Sequence, residues 1–160
     1  MSARLSSSLE ASGRLMNKMT YEDFLEQNGS MTYSNVGVSM MPLLKQGRDL
    51  FTVQRKSMER CKKYDVVLYR RPPSSYVLHR IIQVREKDYV ILGDNCINKE
   101  YGITDADIIG VMVSYVHNGK KRTTDFIGYK VYSWIWVSFA PVRVSLQKMR
   151  IKLRRMLHET

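Results

Sequence analysis

From residue 32 onward the chain alternates short runs of β-branched, aromatic and aliphatic residues with clusters of turn formers. Residues 32–36, 50–54, 66–70, 77–85, 89–92 and 108–117 are predicted strands. Between them lie Lys45-Gln46-Gly47-Arg48, a basic loop over 55–63, and Arg71-Pro72-Pro73-Ser74-Ser75, which reads as a hairpin loop. Strands joined by such short links predict a mainly β fold, an antiparallel, partly closed, barrel-like domain over 31–117. Ahead of it, Thr20 with Asp23 three residues on forms a capping-box start. Tyr21, Phe24 and Leu25 then give a short helix an apolar face before Asn28-Gly29 ends it. Residues 2–12 read as a mobile arm that turns helical toward Leu15 and Met16, so 1–30 is an N-terminal extension.

After Asn118-Gly119 the period changes. Tyr132, Trp134, Trp136 and Phe139 make a dense aromatic helix that stops at Pro141. Val142, Leu146, Met149, Leu153 and Met156 then recur at intervals of four and three, with Arg143, Lys148, Arg150, Lys152, Arg154 and Arg155 on the remaining faces. Residues 118–160 are therefore expected to form a helical extension ending in a basic amphipathic helix.

Composition changes this picture in a few places. A length of 160 residues suits one domain with terminal extensions, and the net charge of +11 favours an anionic partner, nucleic acid or the anionic face of a membrane. Cys61 and Cys96 show no C-x-x-C spacing, and His79, His117 and His158 are scattered, so neither a disulfide framework, a metal site nor a cofactor is expected. No stretch approaches the roughly 20 apolar residues of a spanning helix. The first 19 residues, interrupted by Arg4, Glu10, Arg14 and Lys18, lack the apolar run of a secretory signal. The expectation is a cytoplasmic protein or one held peripherally at an anionic membrane through residues 131–157.

The candidate chemistry begins at Gly37-Val38-Ser39-Met40-Met41-Pro42-Leu43-Leu44. A flexible glycine and a rigid proline hold Ser39 on a bend, as a turn residue or as a nucleophile. In Tyr76-Val77-Leu78-His79-Arg80-Ile81-Ile82, strand alternation puts Val77, His79 and Ile81 on one face and Arg80 on the other. A histidine on an inward apolar face is kept neutral, which a general base requires. Asp94, in Ile91-Leu92-Gly93-Asp94-Asn95-Cys96, shapes its turn or accepts from the histidine Nδ1, and nearby Glu100 can do the same.

In that order, Gly37-Val38-Ser39-Met40-Met41-Pro42, Gly47-Arg48-Asp49, Lys63-Tyr64-Asp65-Val66-Val67, His79-Arg80-Ile81-Ile82 and Gly93-Asp94-Asn95 resemble the serine peptidase superfamily of type I signal peptidases and LexA-type self-cleaving repressors. The resemblance spans about residues 33–113. A histidine where many members carry lysine is similar to the endoplasmic-reticulum-type signal peptidases and their relatives in spore-forming bacteria. It implies Ser39 as nucleophile and His79 as base. It also implies Gly37, Val38, Met40 and Pro42 bordering an extended peptide or preprotein substrate, cut after small residues. Gly37 stands where many signal peptidases have serine, which leaves the oxyanion to backbone amides such as that of Ser39. The expected Gly-Asp is split by Arg48, leaving Asp49 as its equivalent, and the third catalytic member is open between Asp94, taken first, and Glu100. Two other functions compete with signal or leader peptide cleavage. A LexA-like self-cleaving regulator would need a DNA-binding domain that the residues before 31 are too few to form. A non-catalytic basic β module binding nucleic acid explains the charge and leaves Ser39, His79 and Asp94 unexplained as a set.

Overall fold

The computed structural model describes residues 19–73 and 75–158; the arm expected over 2–12, with its turn toward Leu15 and Met16, lies outside them. Helix α1 (Tyr21–Asn28) starts on a reciprocal capping box. Thr20 Oγ1 accepts from the Asp23 N–H at 3.1 Å, and the Asp23 carboxylate accepts from the Thr20 N–H at 3.4 Å. It ends where Gly29 turns left-handed at φ +71° and donates its N–H to Leu25 O. Phe24 and Leu25 are buried on the sheet side, and the Tyr21 ring meets Tyr33 and Tyr76 edge to face.

The strands are β1 (Ser30–Ser34), β2 (Leu50–Arg55), β3 (Val66–Arg71), β4 (Ser75–Val84), β5 (Tyr89–Leu92), β6 (Glu100–Ile103), β7 (Ile108–His117) and β8 (Lys120–Thr123). They form one antiparallel sheet in the order β1-β2-β7-β3-β4-β5-β6. The long strand β7 pairs with β2 along one edge; on its other edge it pairs first with β3 and, beyond Met112, with β8. The fold is mainly antiparallel β with helical extensions, as expected, but no ladder joins β1 to β6 among the described residues, so the sheet is open.

Strand β3 is buried on both faces, which is why it reads as the unbroken apolar run Val66-Val67-Leu68-Tyr69. Val66 and Leu68 pack with Leu25, Met31, Val53 and Met112, while Val67 and Tyr69 pack with Ile81, Tyr89, Ile91 and Ile108. The neighbouring strand β4 divides between the same two cores. Leu78 enters the first and Ile81 the second, so His79 and Arg80, though adjacent, face opposite sides of the sheet.

The chain closes with α2 (Ile127–Ser138) and α3 (Ala140–His158), meeting at an elbow where Pro141 takes an early position in α3. Tyr129 and Ser133 bury one side of α2. The aromatic patch is split, since Tyr132 and Trp136 turn inward while Trp134 and Phe139 stay 56% and 59% exposed. From Lys148 to Leu157 every side chain of α3 is exposed. No helix among the described residues is long and apolar enough to cross a membrane.

Candidate active site

Ser39 sits on the loop that follows β1. Asn35, 5% exposed, clasps that loop by donating from Nδ2 to Gly37 O at 3.0 Å and to Leu44 O at 3.3 Å. Met40, Leu43 and Leu44 anchor it in the core. Met40 is 1% exposed, so of the residues expected to border substrate it has no surface to offer, whereas Val38 and Pro42 are exposed. Gly37 has φ +85° with open space around the position a Cβ would take, so the glycine serves the backbone turn rather than a close contact. The loop is tied to a second one. Asn95 donates its N–H to Ser39 O at 2.7 Å and its Nδ2 to Val38 O at 3.2 Å. The Ser39 N–H donates to nothing among the described residues, which leaves it for an oxyanion.

The loop's far end is held by Asp49, fully buried. Its carboxylate accepts from Lys45 N–H at 2.8 Å and from Arg48, and pairs with His117 Nδ1 at 3.1 Å. Burial pushes the carboxyl up, but the Arg48 hydrogen bonds and the Lys45 and Asn118 amides outweigh it and hold the pKa at about 2. Asp49 is a structural fastening for the loop that carries Ser39.

His79 is 4% exposed. Its Nδ1 lies 3.1 Å from Glu100 Oε1 and 3.4 Å from Tyr69 OH. Glu100 is gripped in turn by Arg71, through Nε at 2.9 Å and through Nη2. Burial pushes the His79 pKa below its ordinary value; Glu100 pulls the other way, and Arg71 adds to the lowering. The ring is therefore neutral at pH 7, with a carboxylate on Nδ1 to fix the tautomer that leaves Nε2 as the acceptor. Glu100 stays ionised, because Arg71 outweighs the burial that would raise it.

Nε2 faces Cys96 Sγ at 3.8 Å, and no hydrogen bond links it to Ser39 Oγ. Ser39, His79 and Cys96 line one cavity of about 550 Å³, walled by Tyr33, Phe51, Leu68 and Leu78. A Cβ on Gly93 would stand 2.8 Å from His79 Nε2 and 2.6 Å from Cys96 Sγ, so only glycine lets the turn pass this close to the ring.

Asp94, the carboxylate the sequence favours for this role, is committed elsewhere. It receives both Nε and Nη2 of Arg80 at 2.8 Å and the Tyr132 hydroxyl at 2.9 Å, while its carbonyl accepts from Trp136 Nε1 at 2.9 Å. Arg80, wholly buried, also donates to Tyr64 O, Tyr129 OH and Ser133 Oγ. The His79-Arg80 pair thus works on both sides of β4, one residue in the cavity and the next fastening α2. Removing one partner of a buried pair strands the other charge, so Asp94→Asn is expected to lower the unfolding free energy by about 3–5 kcal/mol. Denaturant unfolding measures it, and a loss below about 1 kcal/mol would contradict the buried pairing.

Four participants were not marked out by the sequence: Asn35, Tyr69, Arg71 and Cys96. Arg71 falls where the sequence reads as a hairpin loop, and nothing in its spacing points to Glu100. Comparison with protein-family models, curated proteins and solved structures returned no match to this chain.

Proposed function

We propose that the chain is a serine endopeptidase that cleaves signal or leader peptides after small residues, with Ser39 as nucleophile, His79 as general base and Glu100 holding the base. The observation that supports it most is a buried neutral histidine, its Nδ1 on a carboxylate that an arginine keeps ionised, sharing a cavity with a loop serine. Ser39 Oγ attacks the scissile carbonyl and gives its proton to His79 Nε2. The Ser39 amide receives the oxyanion, the imidazolium returns the proton to the leaving amine, and a water that His79 deprotonates releases the acyl group. Catalytic hydrogen bonds often tighten only once substrate is bound, and Ser39 has a rotatable side chain on a pinned backbone. The substrate lies extended in the slot between residues 33–36, the end of the edge strand β1 and the two residues after it, and residues 76–79 of β4.

One observation favours a second reading, a cysteine hydrolase built on Cys96, because Cys96 Sγ stands 3.8 Å from His79 Nε2. Against it, burial pushes the Cys96 thiol up, with Glu100 adding to the rise, and a thiolate is what such chemistry needs.

The test is hydrolysis of extended apolar peptides with a small residue before the cut, followed against pH. The base acts unprotonated, so the rate is expected to climb with pH through a limb below the ordinary histidine pKa and to be full at neutrality. Absence of cleavage at any pH, or an acidic limb above the ordinary histidine range, would overturn the assignment of His79.

A further inference from the structure

A second cleft, of about 470 Å³, lies at the elbow of α2 and α3, with Met41 and Pro42 on its facing wall. Three polar atoms there are buried without a partner among the described residues: Arg143 Nε, Arg143 Nη1 and Gln147 Oε1. The guanidinium is held in place by Trp136, its carbon 4.4 Å from the ring centroid. Desolvation disfavours its charge, and Asp94, the carboxylate whose field reaches it, is already occupied by Arg80. Buried donors left unmade are costly, so this arrangement is suited to a ligand that brings anionic oxygens to Arg143 and a donor to Gln147.

The surroundings narrow the ligand. Phe139, Val142 and Leu146 line the cleft and are 59%, 57% and 45% exposed, with Arg150 beside them. The exposed apolar surface continues along α2 through Ile127, Val131 and Trp134, and along α3 through Met149 and Leu153. Between Phe126 and His158 the sequence holds no acidic residue, while Lys148, Lys152, Arg154 and Arg155 are exposed. An anion-binding cleft opening onto an apolar stripe edged with cations matches a phospholipid at a bilayer surface. A soluble phosphate or a nucleic acid would leave the stripe uncovered.

We propose that the α2–α3 elbow binds the phosphate headgroup of an anionic, hydroxyl-bearing phospholipid, with Arg143 donating to the phosphate, Gln147 Oε1 accepting from the headgroup hydroxyl, and α3 lying in the interface. This does not depend on the peptidase reading. It does place the Ser39 loop at the membrane surface. Met41 and Pro42 share the cleft, and Gln147 Nε2 donates at 3.2 Å to Asn95 Oδ1, whose own amide holds Ser39 O.

Co-sedimentation of the full chain with vesicles tests it. Binding is expected to phosphatidylglycerol mixed into phosphatidylcholine and not to phosphatidylcholine alone. Arg143→Gln, with its fold checked by circular dichroism, is expected to weaken partitioning about tenfold or more, since it removes charge-assisted hydrogen bonds. Lys148→Gln on the same helix should cost only the roughly fivefold that one surface charge is worth. Gln147→Glu, which sets a carboxylate against the phosphate, provides a second variant and should weaken binding as Arg143→Gln does. The proposal is overturned if the vesicles do not bind or if Arg143→Gln and Lys148→Gln lose equally. It is also overturned if soluble glycerol phosphate binds through Arg143 while vesicles do not.

Discussion

Ser39→Ala is expected to reduce peptide cleavage by about 10⁴-fold or more while leaving the melting temperature unchanged, because what ties this residue to the protein is its backbone. Its carbonyl accepts from Asn95 and its neighbours Asn35, Met40 and Leu44 hold the loop, while no hydrogen bond among the described residues uses the hydroxyl. Loss of the nucleophile removes the covalent route and leaves only positioning and oxyanion binding, which accounts for a residual rate rather than zero. Steady-state cleavage with thermal unfolding as the control separates the two effects. A variant that loses stability along with activity would show that the hydroxyl is a structural group, and one that keeps most of its rate would exclude Ser39 as nucleophile.

Glu100→Gln is expected to lower turnover by about 10²–10⁴-fold and to move the acidic limb of the profile to lower pH. The amide preserves size and can still touch Nδ1, but it does not select the tautomer or stabilise the imidazolium that forms as Ser39 is deprotonated. The direction of the limb follows from the charges around the ring. Burial lowers the His79 pKa, Glu100 raises it and Arg71 lowers it. Neutralising Glu100 removes the main upward pull and leaves Arg71 opposed only by the smaller pull of Asp94, so protonation of His79 requires more acid. A pH–rate profile whose limb stays in place would break the link between Glu100 and the base. Asp94→Asn, by contrast, should alter stability through Arg80 and α2 far more than it alters the limb, since its carboxylate is spent on Arg80 and Tyr132.

The strands were readable because burial wrote a period into them. The runs over 89–92 and 108–117 coincide with β5 and β7, and the doubly buried β3 showed as continuous Val66-Val67-Leu68-Tyr69. Strands β6 and β8 carried no such sign. Lys120–Thr123 is exposed along its whole length, and Glu100–Ile103 buries one residue of four and bends at Gly102 with φ +75°. Strand alternation was enough to separate His79 from Arg80 by face, because that depends only on local geometry. Choosing between Asp94 and Glu100 depends on which carboxylate meets which arginine, Arg80 or Arg71. Those pairings cross ladders between strands and are not encoded in spacing. The amphipathic period of α3 was equally plain, yet its apolar side meets solvent rather than the sheet, because the helix leaves the body beyond Gln147.

The mechanism hinges on which side chain at the cavity becomes acylated, since Ser39 and Cys96 both line it with His79 and Cys96 Sγ stands 3.8 Å from Nε2. Treating the folded protein with a fluorophosphonate probe and mapping the adduct by peptide mass spectrometry decides this directly. A single adduct on Ser39 that disappears in His79→Ala is expected; an adduct on Cys96, or none on the folded protein, would rule out Ser39 as the nucleophile.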